Sequence, residues 1–203
     1  MNTFKLESGD ILVNINDRND PFSIVKRWAV GPYEHVFLYM GELGLFSTRA
    51  QRQIIRVPML FESNGRGVTL RSLSSRYGEK VVVMRLKAEH DKRRIPRVLI
   101  EAIELASSFQ SYYDYFGIVR WVLPRIIREK LHLPVALSWQ RDAWQICSEA
   151  VFEVFYRARL VDILPHNVVP LPGDFATDSL LLKEGWRGTL SEDLITLQGH
   201  TEE

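Results

Sequence analysis

Gln145-Ile146-Cys147-Ser148-Glu149-Ala150-Val151 is where a polar, turn-rich approach gives way to an apolar helix. Cys147 is the only cysteine in the chain. At a helix start it faces the positive end of the helix dipole, which favours thiolate and lowers the thiol pKa from about 8.5. Downstream, Cys147, Val151, Val154 and Phe155 fall on one side of a helix predicted to run to Ala158. The residues before position 90 read mainly as strands and those after it as helices. Strands followed by helices argue an α+β fold.

Working outward, Gly9-Asp10 is a turn signal and Ile11 to Ile15 a strand. Asn16 to Pro21 reads as a loop and Phe22 to Val30 as a short helix, broken by Gly31-Pro32. His35 to Met40 is a strand closed by Gly41 and Gly44, with His35, Phe37 and Tyr39 on one face. Val57 to Ser63 carries Glu62 near its end, and Asn64-Gly65-Arg66-Gly67 is a hairpin turn returning through Val68 to Leu70. Lys80 to Leu86 is a β-branched strand. From Pro96, the residues Val98, Leu99, Ala102, Ile103, Leu105, Ala106 and Phe109 form a helical stripe. Tyr112 to Gly117 is aromatic, and Trp121 to Leu133 is an interrupted helix with a basic face. Pro165 to Gly173 is turn-rich. From Glu184 the chain is polar and expected to fray, with a frayed tail over 190–203.

The 203 residues, 46% hydrophobic, suffice for a core in one domain over 1–203. A formal net charge of +1 gives no electrostatic reason to expect nucleic acid. One cysteine excludes an internal disulfide or multi-cysteine zinc site and suits a reducing compartment. The start is not a signal peptide, and no stretch reaches the roughly 18 apolar residues of a membrane span. A cytoplasmic location without stable membrane insertion is expected; the oligomeric state is not legible.

A cysteine nucleophile needs a base and a group to orient that base. The histidines are His35, His90, His132, His166 and His200. His35 is on a predicted strand, which mounts a side chain more rigidly than a loop. Glu62, at the end of the next strand, is the candidate orienter. Each residue has an ordinary reading: a small core thiol, a structural histidine, a solvated carboxylate. Their joint occurrence carries the case. No His-Glu-x-x-His or comparable zinc spacing is present.

Gly9-Asp10-Ile11-Leu12, His35-Val36-Phe37-Leu38-Tyr39-Met40-Gly41, Phe61-Glu62-Ser63 with Gly67-Val68, Tyr113-Asp114-Tyr115-Phe116-Gly117 and Ile146-Cys147-Ser148-Glu149-Ala150-Val151 occur in that order. The set resembles the YiiX-like branch of the NlpC-type, papain-like cysteine hydrolases, over roughly residues 9 to 180. Pro172-Gly173-Asp174-Phe175 with Ser179 resembles the family's closing segment. The resemblance implies a circularly permuted papain-like fold, with an antiparallel sheet packed against helices and the nucleophile at a helix N-terminus. It implies Cys147 as nucleophile, His35 as general base and acid, and Glu62 as orienter. Lecithin retinol acyltransferase-like proteins share the permuted architecture. Phe37 and Tyr39 are bulkier than the family's usual residues near the histidine, and 117–141 looks like an insertion. Gln145 and Tyr33 are candidate oxyanion donors beside the Cys147 backbone N–H.

The expected function is a cysteine peptidase or amidase cleaving an amide or peptide bond, such as a cell-wall peptide, through a thioester. No cofactor or metal is called for. The alternatives are an acyltransferase or thioesterase on lipid or lipidated substrates, with Tyr112, Tyr113, Tyr115, Phe116, Trp121, Trp139 and Trp144 lining a groove, and a non-catalytic binding module. Partners are accordingly a peptide, amide or acyl-lipid substrate.

Overall fold

A computed structural model describes residues 4–17, 20, 24, 27, 31–47, 53–64, 67–108, 127–128, 147–164 and 170–195. Among the described residues six strands form one antiparallel sheet: β1 (Ile11–Ile15), β2 (Tyr33–Ser47), β3 (Gln53–Asn64), β4 (Gly67–Ser72), β5 (Lys80–Leu86) and β6 (Leu182–Thr189). Their spatial order is β4-β3-β2-β1-β5-β6. Among the described helices are α1 (Glu89–Lys92), α2 (Ile95–Ser107), α3 (Cys147–Arg157) and α4 (Pro172–Phe175). The architecture is α+β, as the order of strands and helices implied.

The central strands are apolar on both faces because both faces are covered. Ile11 and Val13 of β1 join a core with Val36, Leu38 and Met40 of β2 and with Val98, Ala102, Val151, Val154 and Phe155 of α2 and α3. Leu12, Phe37, Tyr39, Leu60, Val81 and Val83 point the other way, onto Leu6, Leu73, Leu190, Leu194 and Ile195. The helices cover one face; Phe4 and Leu6, the Leu73 turn and the segment Leu190 to Ile195 cover the other.

Several expectations are corrected. Gly41 does not close β2, which runs on to Ser47. It sits instead at a register irregularity against β3 with φ +81°, a left-handed conformation that glycine adopts without a Cβ penalty. A side chain there would strike Ser8 Oγ. Ile103 is 40% exposed, whereas Glu101 is buried and paired with Arg97 at 2.5 Å. The core-facing stripe of α2 is therefore Val98, Ala102 and Leu105, with Leu99 and Ala106 partly buried against the same core.

The largest correction concerns the C-terminal end. Residues 182–189 form the edge strand β6, and Leu190, Leu194 and Ile195 are buried, not frayed. The segment hid in the sequence because Lys183, Glu184 and Arg187 point outward and leave no apolar alternation. Backbone pairing with β5 forms this strand, and Trp186 stacks on Phe4 with ring centroids 5.9 Å apart. The Asn64-to-Gly67 turn joins paired residues as expected. The predicted 22–30 helix falls mostly outside the described residues. So do nearly all of the Trp121–Leu133 helix and the 117–141 insertion, the whole 112–117 aromatic cluster, Trp139, Trp144, Gln145, and the tail beyond 195.

Leu190→Ala is therefore expected to lower unfolding free energy by about 2–5 kcal/mol in urea titration, the range for emptying a leucine core site. A frayed tail would give no change.

Candidate active site

Three elements bring the site together. Strand β2 carries His35, β3 carries Glu62, and α3 begins at Cys147. β2 and β3 are neighbours in the sheet, with Leu38 opposite Phe61 and Tyr39 opposite Leu60. Continued through the pleat, this register places the His35 and Glu62 side chains near each other on one side. His35 Nε2 lies 3.1 Å from Glu62 Oε2. A register irregularity in the β1–β2 ladder falls beside His35, between Asn14 and Ile15. Bulges of this kind re-aim side chains.

Helix α3 lies against β2 and β3 through the core, and its first turn is wholly buried: Cys147, Ser148, Glu149 and Ala150. Ser148 Oγ donates to the Pro170 carbonyl at 2.5 Å, fastening the helix start to the segment entering α4. The Cys147 thiol faces His35, and its interactions with the imidazole and with the Val36 and Ser148 backbone favour its ionised form. The imidazole is thus held by the carboxylate and faces the thiol.

Charge follows from this geometry. Burial opposes ionisation of Cys147, but the facing His35 charge and the hydrogen bonds outweigh it and bring the thiol below its ordinary value. Burial likewise opposes a charged His35; the Cys147 and Glu62 anions on either side raise it to about 9. Glu62, also penalised by burial, is held at about 2 by His35 and Arg76. The shifts act together, each favouring the charged form: thiolate, imidazolium and carboxylate.

Glu62 is fully buried and accepts more than the histidine. Arg76 Nη2 reaches Oε2 at 2.6 Å, while Asn64 Nδ2 and Arg71 Nη1 reach Oε1 at 3.2 and 3.3 Å. The reading of Glu62 as a solvated turn residue is excluded. Arg76, Arg71 and Asn64 were not legible as site residues. They lie on a 3-10 turn, an outer strand and a hairpin, where charge carries no periodic signal. Phe37, the bulky departure from the family pattern, packs against the site: its ring is 5.7 Å from His35 and 5.5 Å from the Arg76 guanidinium carbon.

The other candidates lie elsewhere. His90 is exposed beside Asp91, and Tyr33 shares a hydrogen bond with Arg187. His132, His166, His200 and Gln145 fall outside the described residues. The Gly9-Asp10 turn is structural. Arg85 binds both oxygens of buried Asp10, at 2.8 and 2.7 Å, and Gly9 N–H donates to the Tyr39 carbonyl at 2.8 Å.

No family model matches the chain, and no curated protein matches it in sequence. Among solved structures, a crystal structure of the metalloprotein yiiX from Escherichia coli O157:H7 aligns with a TM-score of 0.56 at 18% identity. The alignment covers 92% of this chain and 100% of that one. The chain shares its fold with yiiX. At this identity the yiiX likeness speaks for architecture alone, and the side-chain geometry must carry the chemistry. No described helix is long and apolar enough to cross a membrane.

Glu62's depressed pKa gives stability that is fully present above its ordinary 4.5 and is lost as pH falls toward 2. Unfolding free energy measured by denaturant titration is expected to decline across that window. In Glu62→Gln the decline is expected to flatten; an unchanged slope would contradict the assignment.

Proposed function

We propose that the chain is a cysteine hydrolase of circularly permuted papain-like, NlpC-type architecture. The observation that carries this reading is His35 held 3.1 Å from the Glu62 carboxylate while it faces the Cys147 thiol at the start of a helix. Histidine preceding acid and acid preceding cysteine along the chain fits the permuted order. Cys147 attacks a carbonyl carbon as thiolate. His35, already protonated, gives its proton to the leaving amine as the tetrahedral intermediate collapses to a thioester. His35, now neutral, takes a proton from water, which attacks the thioester and releases the acid and the thiolate. Glu62 holds the ring and stabilises its charge. The backbone N–H groups at the start of α3 favour the sulfur anion; the helix terminus also suits an oxyanion, an interaction typically worth a few kcal/mol.

The name of the fold neighbour raises a resident metal. Among the described residues no three His, Cys, Asp or Glu side chains converge as a ligand set. Glu62 is an unsuitable donor, because both its oxygens are engaged and two guanidinium groups flank it. The described site does not fit a metal, and no step is routed through one.

The substrate class proposed is an amide or peptide. Acyl-lipid and thioester substrates would use the same three groups with a different pocket, and the aromatic residues that would line it fall outside the described set.

Cys147→Ala is expected to abolish turnover, and Cys147→Ser or His35→Ala to lower it on the order of a thousandfold or more. A panel of amide and thioester probes with an electrophilic trap, read by mass on the thiol, checks this. Native chain that takes up no probe, or Cys147→Ala that retains turnover, would overturn the reading.

A further inference from the structure

Behind Glu62 a second line of hydrogen bonds continues away from the thiol. Arg76 donates through Nη2 to Glu62 Oε2 at 2.6 Å and through Nη1 to Glu79 Oε1 at 2.9 Å. Glu79 Oε2 in turn accepts from Asn14 Nδ2 at 2.6 Å. Asn14 lies on β1, opposite His35 itself. The line therefore starts at the site, passes through the 3-10 turn Leu73–Arg76 and the entry to β5, and returns to the strand beside β2. Glu79 is also fixed by its backbone: Leu190 N–H donates to the Glu79 carbonyl at 2.8 Å, and Gly78 N–H to the Leu190 carbonyl at 2.9 Å. The buried C-terminal segment thus holds the turn that holds Arg76.

We propose that Arg76, anchored by Glu79 and Asn14, is a positioning residue that fixes Glu62 against His35 and keeps the Cys147–His35 pair charged. The proposal rests on the hydrolase reading above and deepens it. Only a planar, permanently charged fork satisfies the geometry: one arm on each of two carboxylates, with the face of Phe37 behind it. The groups facing Glu62 are His35 from β2, Asn64 on its own strand, Arg71 from β4 and Arg76 from the turn. The two arginines are not equivalent. Arg71 is 47% exposed at 3.3 Å, whereas Arg76 is 20% exposed at 2.6 Å, so water screens Arg71 far more. Glu79 offsets the second positive charge near the imidazolium, which lets Arg76 sit there without driving the proton from His35.

Loss of the Arg76 charge acts on the thiol in one direction. It removes positive field from the site and leaves Glu62 free to swing away from the imidazole, and both make the thiolate harder to form. The acid limb of thiolate formation must therefore move to higher pH.

The test is the pH dependence of iodoacetamide alkylation on the full chain, where the single cysteine makes the readout unambiguous. In Arg76→Gln the acid inflection is expected to rise by about one pH unit, an on-the-order-of tenfold lower rate below it. Arg76→Lys, which keeps the charge but cannot span both carboxylates, should lie between Arg76→Gln and native. Arg71→Gln should shift least. A merely structural arginine would change the melting temperature and leave the inflection in place. An Arg76→Gln inflection coinciding with native overturns the proposal. If Arg76→Gln fails to fold, an Arg76→Lys inflection coinciding with native overturns it instead. Native chain with an activated thiol but no Arg76 effect sinks the positioning role alone. Native chain with one inflection at about 8.5 sinks the hydrolase reading and the positioning role together.

Discussion

A carboxylate with no exposed surface, set near the end of a paired strand, is the constraint around which the site is built. Glu62 cannot ionise there without partners, because an isolated buried charge is far costlier than a solvated one. His35, Arg76, Arg71 and Asn64 supply them. Taking a single partner from a buried ion pair typically costs about 3–5 kcal/mol. The partners are thus part of the fold as well as the chemistry. The pairing also sets a direction: one oxygen is shared between a permanent cation and a titratable one, so the carboxylate's field falls on the imidazole, and through the imidazole on sulfur.

The rest of the molecule holds that arrangement still. The sheet is covered on both faces, so β2 and β3 are fixed at the register that aligns His35 with Glu62. Helix α3 is locked from below by Val151, Val154 and Phe155 and at its start by Ser148 on Pro170. Under the proposed function these packed strands and this buried helix would preorganise the site, and preorganised electrostatics is usually the largest contribution an enzyme makes. Even the chain's C-terminal segment participates, through Leu190 on the Glu79 turn.

Much of this was legible in residues with strong local signatures. Lys80 to Leu86 is a strand because three consecutive valines and a buried methionine leave little else, and it is β5 without change. The Cys147 helix could be read from its apolar stripe, and the His35–Glu62–Cys147 set from its order and its resemblance. What escaped detection shares a physical cause. Strand β6 is stabilised by backbone pairing, with polar side chains turned to water, so it carries no pattern. Arg76 acts through a three-dimensional meeting of turn, strand and hairpin, and a lone arginine in Leu73-Ser74-Ser75-Arg76 does not announce that. Glu62 could be placed near the end of its strand, but its burial could not be read, because the residues that bury it come from elsewhere in the chain. Gly41 looked like a stop, and the same freedom that ends strands elsewhere lets this one bend and continue.

The central claim is that imidazole and thiol share one proton as an ion pair at neutral pH. The ultraviolet absorbance of the thiolate, taken as the difference between native chain and Cys147→Ala across a pH titration, reads this most directly. The account predicts thiolate persisting well below about 8.5 and vanishing from that range when His35 is replaced by alanine. A single ordinary thiol inflection, the same with or without His35, would contradict it.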